Sequence, residues 1–206
     1  MKVVIVGVGT TAMIVADIIM GSHNFNLAGF IGTSEEEKVL RSSNVHHDLP
    51  FLGDRGIISR LNEGGISGFI CAIGDVYIRE KAFYECCEAG LTPVNAISSR
   101  AVINPDVSLG RGIVISPGVI LSHGVKIGDN VILNPAVVMD VNANLGAHCY
   151  ISSGVVLSGE CEVEKNVTMG AGVIVESYLK VGKNQRVPAG TVVSKNLDGL
   201  YRKETE

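Results

Sequence analysis

The sequence predicts two architectures in tandem, an α/β unit of Rossmann-like pattern followed by a parallel β-helix, and three observations predict them. Every sixth residue from Ile97 to Val193 is aliphatic. The positions two residues earlier, from Ala101 to Leu179, are again all apolar and mostly small. The first ninety residues follow a different rule, opening with a strand-turn-helix pattern. Of the 206 residues, 46% are hydrophobic, 5% aromatic and none Trp, so the interior has to be built from small aliphatic side chains in thin layers. The expected domains are 1–93, 94–197 and a polar tail, 198–206.

In the second half, six residues make one short strand and one corner. Gly110, Gly128, Gly146, Gly170 and Gly182 directly follow members of the first aliphatic register, where a tight corner without a Cβ is useful. Hexapeptide periods are the signature of parallel β-helices, and three hexads close one triangular coil with a rise of ~4.8 Å. About five coils are expected, with the segment 185–196 ending the stack, because a solenoid needs caps at both ends. Cys149 and Cys161 fall on the apolar registers and read as small buried hydrophobes.

In the first half, Lys2 to Val6 is a β-branched run, Gly7 to Ala12 a turn, and Met13 to Met20 has helical spacing. Strands at 27–31 and 69–72, a helix over 78–89 and a strand at 92–96 complete a small α/β unit. Gly7, Gly9 and Ala12 match G-x-G-x-x-A between strand and helix. Three readings stand: a redox dinucleotide site, a site for the phosphate of another nucleotide, and a structural turn. The first is disfavoured because the second strand ends Ile31-Gly32-Thr33, without the acidic residue a ribose would need.

Charge and composition remove other classes. A net charge of -4 with scattered Lys and Arg offers no basic field for nucleic acid. No stretch approaches the ~20 apolar residues of a membrane span, and the N-terminus leads straight into a strand, so a cytoplasmic protein is expected. Five cysteines without a C-x-x-C pair support neither a disulfide framework nor a zinc site. His46 and His47 beside Asp48 could mimic metal ligands, but adjacent histidines rarely converge on one ion, and a solvated loop is the plainer reading. No metal is expected.

Gly7-x-Gly9, then Pro50-Phe51-Leu52-Gly53-Asp54, then Ala72-Ile73-Gly74-Asp75 with Arg79, then the hexads, resemble over nearly the whole chain the NeuD/PglD-type family of sialic acid O-acetyltransferases and UDP-bacillosamine N-acetyltransferases. The resemblance implies a left-handed β-helix, a homotrimer, acetyl-CoA as donor in the groove between adjacent β-helices, and a nucleotide-linked sugar held partly by the N-terminal domain. It places Gly7, Gly9, Thr10, Gly74 and Asp75 at the nucleotide-sugar phosphates and Asn134 near the acceptor. It also places the Gly159 N–H at the thioester carbonyl, with Gly170-Ala171-Gly172 along the pantetheine arm. A γ-type carbonic anhydrase shares the β-helix but needs three metal histidines, and only His123 and His148 lie on the repeats.

One departure bears on mechanism. Family members carry His followed by an acid where this chain has Val141-Asn142, and a second family histidine corresponds to Tyr150. Valine cannot accept a proton. His123 stands in the register of Val141 one coil earlier, so it has two readings: a shifted general base, or a surface histidine at a corner. His148 occupies a different hexad position and is a lesser candidate. Asp140 and Asn142, flanking Val141, join His123 and Asn134 as the expected catalytic group. A neutral amine acceptor is already nucleophilic, so the missing base weighs against O-acetylation more than against N-acetylation. The expected activity is acetyl transfer to a sugar amine for glycan synthesis; the alternative is a non-catalytic relative that binds a nucleotide sugar.

Overall fold

Lys2–Val6 begins the chain as strand β1, with Val3 to Val6 fully buried, as befits a strand covered on both faces. The computed structural model describes residues 1–22, 24–42 and 49–198. After β1 come α1 (Thr10–Ser22), β2 (Asn26–Ile31), α2 (Ser34–Ser42), β3 (Phe51–Gly53), a 3-10 run (Arg55–Gly64), β4 (Gly68–Cys71), α3 (Val76–Glu88) and β5 (Thr92–Pro93). The five strands are parallel in the order β3-β2-β1-β4-β5, so the chain reverses direction across the sheet between β1 and β4. On one side Ile58 and Leu61 of the 3-10 run pack with Ala82, Phe83 and Cys86 of α3. Phe69 and Phe83 meet edge to face at 5.5 Å, and burying each ring contributes roughly 1.5–3 kcal/mol.

The helix α1 starts at Thr10, earlier than the expected turn ends. Three elements stand beside the expected ones: α2, β3 and the 3-10 run. Thr33 and Glu36 cap α2 reciprocally, Thr33 N–H donating to Glu36 Oε2 at 2.7 Å and Glu36 N–H to Thr33 Oγ1 at 3.2 Å. Asp54 caps the 3-10 run by accepting from Gly56 N–H, and Gly65, at φ 72°, ends it.

By compactness the chain divides into Met1–Ser99 with Arg111–Val114, and Arg100–Gly110 with Ile115–Glu206. The strands β6 (Ala96–Ile97) through β22 (Val192–Val193) are two residues each and form three parallel sheets of six, six and five strands, a left-handed parallel β-helix. Each strand pairs with the third strand after it, as Ile120 with Val138 and Leu121 with Met139. One coil therefore takes three hexads. The second residue of each strand points inward, and from Ile115 to Val193 every one of them is buried.

The three faces differ outward. The first face carries β6 and every third strand after it; the second starts at β7 (Val102–Ile103) and the third at β8 (Ser108–Leu109). Outward residues of the third face are polar: Ser108, Lys126, Asn144, Glu162 and Lys180. Those of the second are Val102, Ile120, Val138, Val156, Ile174 and Val192, an unbroken β-branched stripe in which Val102 is 64% exposed and Val192 55%.

One expectation about corners changes. Gly110, Gly128, Gly146 and Gly170 do not have left-handed dihedrals; a Cβ on Gly146 would lie 2.6 Å from Lys165 N, so clearance from the next coil is what they supply. The dihedral demand falls two residues later, at the third corner position. The segment 185–196 ends the stack, carrying its last two strands, β21 (Arg186–Val187) and β22. Asn196 Oδ1, accepting from Lys180 N–H, and Leu197, bridging Val181, close that end.

Candidate active site

In the N-terminal unit, a cavity of about 580 Å³ opens at the C-terminal ends of β1, β2, β3 and β4. Ligands of open parallel sheets bind at such an edge, where the strand order reverses. Val6 and Gly7 line it from β1, Ile31, Gly32 and Thr33 from β2, Asp54 to Gly56 after β3, and Ile73 after β4, with Glu36 and Ile78. Arg55 brings the cationic group: its Nη1 is buried without a hydrogen-bond partner and its Nε lies 3.6 Å from Glu85 Oε2. Of the five substrate residues expected here, Gly7 alone lines this cavity.

The others have separable roles. Gly7 is required by the fold, at φ 116° with Ala72 O 2.7 Å from any added Cβ. Gly9 is not: its φ is ordinary and nothing lies within 4 Å of an added Cβ, so its missing side chain leaves the start of α1 open. No acidic residue occupies the first turn of α1, and Thr10 there is exposed. That start suits an anion. The start of α3 is closed instead, because Asp75 accepts from Tyr77 N–H at 3.0 Å and from Ile78 N–H at 2.9 Å. Gly74 belongs to the same turn, which fully buried Arg79 ties down through Ile73 O at 2.6 Å and Gly74 O at 3.4 Å.

On the β-helix, the expected residues fall on the two edges that flank the second face. The edge between the second and third faces stacks the corners 122–124, 140–142 and 158–160. There the register sets His123 one coil below Val141 and Gly159 one coil above it. Asp140 Oδ1 accepts from Val141 N–H at 2.8 Å, and its other oxygen lies toward Gly159. Asn142 donates its N–H to His123 O at 2.8 Å and its Nδ2 to Glu160 Oε1 at 2.6 Å. Val141 is 42% exposed between them. Among the described residues no hydrogen bond takes the Gly159 N–H, and a Cβ there would lie 3.4 Å from Val141 O. The fold tolerates a side chain at 159 more readily than a ligand drawn close to the backbone would.

The edge between the first and second faces holds Asn134, Gly170, Ala171 and Gly172. Asn134 is buried and donates Nδ2 to Ile151 O at 3.0 Å, tying its corner to the next coil. Gly170 is demanded by Ala189 in the coil above, whereas Gly172, at φ 68°, faces open space. Within one chain, then, His123, Asp140, Asn142 and Gly159 come together, and Asn134 with Gly170 to Gly172 stays at the other edge.

His148 joins neither group. It is buried on the third edge, φ 61°, with Nδ1 2.9 Å from Asn130 Nδ2, and has no access to a substrate. None of the five cysteines is in a disulfide; burial pushes the Cys161 thiol up to about 11, and burial with its neighbour Cys86 holds Cys71 well above the usual thiol range, so neither offers a thiolate. His46, His47 and Asp48 lie outside the described residues. Among those described, no three His, Cys, Asp or Glu side chains cluster as metal ligands.

An α/β unit with a cavity at its strand ends, followed by hexad coils with polar edges, defines the class of two-domain hexapeptide-repeat proteins. Residues 2–86 match the PglD N-terminal domain. A histidine-to-asparagine mutant of perosamine N-acetyltransferase from Caulobacter crescentus, solved with CoA and GDP-perosamine, is 30% identical, with a TM-score of 0.88 over 96% of this chain and 90% of that one. PerB from the same organism, also with CoA and GDP-perosamine, gives 30% and 0.87 over the same shares. The acetyltransferase domain of PglB from Neisseria gonorrhoeae shares the fold, at 21% identity and a TM-score of 0.82 over 96% and 93% of the two chains. No curated protein sequence matches. The chain belongs to the PglD-type family of hexapeptide-repeat sugar acetyltransferases.

Proposed function

We propose that this protein transfers an acetyl group from acetyl-CoA to an amino group of a nucleotide-linked sugar, and does so as a homotrimer. The observation that carries this reading is the 30% identity, across 96% of the chain, to an N-acetyltransferase solved with CoA and a GDP-sugar. Arg55 and the open start of α1, with Gly7, Gly9 and Thr10, would hold the nucleotide and its phosphates, while Asp75 and Gly74 fix the adjoining turn. The family setting is glycan synthesis, and a cytoplasmic location fits substrates of this kind. No helix among the described residues is long and apolar enough to cross a membrane.

The aliphatic stripe on the second face supports the trimer. Such a stripe is a surface to be covered, and facing three copies of it toward a common axis sets the second–third edge of each chain beside the first–second edge of its neighbour. Both halves of the expected catalytic and cofactor set then share one groove: His123, Asp140, Asn142 and Gly159 from one protomer, Asn134, Gly170, Ala171 and Gly172 from the next. Acetyl-CoA supplies an activated acyl group on sulfur. The unclaimed Gly159 N–H would donate to the carbonyl oxygen as charge develops there. Val141 cannot take the proton, so His123 is assigned as base, with Asp140 orienting the amine.

Mass spectrometry of nucleotide-sugar mixtures incubated with protein and acetyl-CoA tests the reading directly. An acetylated 4-amino-sugar nucleotide is expected, together with a loss of about 100-fold or more in kcat for His123→Ala. Absence of both turnover and CoA binding at millimolar concentration would overturn it. Val141 favours a second reading, a relative that binds a nucleotide sugar without turnover, which any acetylated product eliminates.

A further inference from the structure

The second–third edge departs from its own hydrogen-bond pattern at one corner. At three successive corners the third residue donates its N–H to a main-chain carbonyl one coil below: Asn142 to His123 at 2.8 Å, Glu160 to Val141 at 2.9 Å, Tyr178 to Gly159 at 3.2 Å. Gly124 donates instead to a side chain, Asp106 Oδ2, at 2.8 Å. The same oxygen lies 2.8 Å from His123 Nδ1. A carboxylate only accepts, so the imidazole hydrogen on that side belongs to Nδ1 and the lone pair is left on Nε2. The His123 side chain is 69% exposed, and without a fixed partner its ring would sample both rotamers and tautomers.

We propose that Asp106 is the positioning residue for His123: it anchors Nδ1–H and leaves Nε2 as the proton acceptor, an acid supplied by the coil below and not by the next residue in the chain. This rests on the assignment of His123 as base. As the acceptor nitrogen bonds to the acyl carbon and the carbon–sulfur bond breaks, His123 Nε2 takes one proton from that nitrogen and returns it to the departing sulfur. Asp106 stays ionised throughout and offsets the transient imidazolium charge.

Asp106→Asn separates the charge of the carboxylate from its scaffolding. An amide oxygen in the place of Oδ2 still accepts from both Gly124 N–H and His123 Nδ1–H, but no negative charge faces the transient imidazolium; Asp106→Ala removes the anchor itself. The experiment joins 15N NMR of the imidazole nitrogens in the full-length protein to kinetics with acetyl-CoA and GDP-perosamine. Expected are an Nδ1–H tautomer for His123 in the parent protein and in Asp106→Asn, a mixture of tautomers in Asp106→Ala, and a kcat lowered about 10-fold or more in Asp106→Asn and further in Asp106→Ala, with KM for acetyl-CoA unchanged. Asp106→Glu should recover part of the rate, and Asp106→Asn should add nothing to His123→Ala. An Nε2–H tautomer in the parent, or full kcat in Asp106→Asn while His123→Ala is inactive, overturns the role of Asp106 alone. Full activity in His123→Ala overturns the base assignment and this inference with it, leaving the acetyltransferase reading intact.

Discussion

Every sixth residue from Gly112 to Gly190 has a left-handed backbone, and eight of these corner residues carry a side chain. Left-handed dihedrals cost an ordinary residue about 1–2 kcal/mol, and four of the eight are Asn, which tolerates them best. The cost is offset by order, since the N–H of such a residue is typically held by the coil below, as in Ala136 to Pro117 O at 3.2 Å. Glycine acts oppositely at the first corner position, where space is the constraint. Gly146→Ala should therefore lower stability by about 2–4 kcal/mol by pressing a methyl against Lys165. Tyr178→Gly, at φ 65° and 80% exposed, should leave Tm unchanged or raise stability by up to about 1 kcal/mol. Thermal melts of the two variants moving in the same direction would contradict this division of labour.

At the scale of elements, the third face is tied by charge across coils. Lys180 Nζ lies 2.7 Å from Glu164 Oε1 and 3.4 Å from Glu162 Oε1, and Lys183 N–H donates to Glu164 Oε2 at 2.8 Å. The hydrogen bond from Lys180 lowers the Glu164 carboxyl below its ordinary 4.5, and the one to Glu164 raises the Lys180 ammonium above its ordinary 10.5. A lowered carboxylate stabilises above its unfolded value and loses that contribution as pH falls through the folded one; the raised ammonium does the reverse on the alkaline side. Glu164→Gln should thus show a small Tm deficit at neutral pH that closes as the buffer is taken well below 4.5 and shrinks in high salt. A deficit independent of both pH and salt would point to lost packing instead. Elements also mark what the sequence discloses. Strands of two residues are too short to show alternation, yet their sixfold recurrence made the β-helix legible. The cap at Thr33 and Glu36 is readable as T-x-x-E, but the helix behind it is polar and offers no apolar periodicity to mark it. The 3-10 run is not readable, since its apolar contacts, Ile58 and Leu61, lie against strands and a helix distant in sequence.

At the scale of the whole molecule, the candidate site was legible where it follows the repeat and obscure where it follows space. The register alone aligned His123 beneath Val141, whereas Asp106 beneath His123 depends on how one corner bends, and Arg55 depends on which strand ends converge. The exposed stripe was hidden in plain sight, recurring once per coil and not once per hexad. If it seals the trimer, Val156→Glu should bring three carboxylates toward the axis and yield monomers by light scattering, while Asn144→Glu on the polar face should not. Monomers from neither variant would remove the stripe from the interface. The three-sided coil also imposes a reading frame on the gene. Loss of a single hexad would keep every inward side chain inward, yet turn all later coils by one side, so that the water-repelling strip would wind around the prism and the His-bearing ridge would fall out of line with the glycine above it. Gain or loss of repeats that keeps the three sides in line is accordingly a matter of whole turns, eighteen residues at a time.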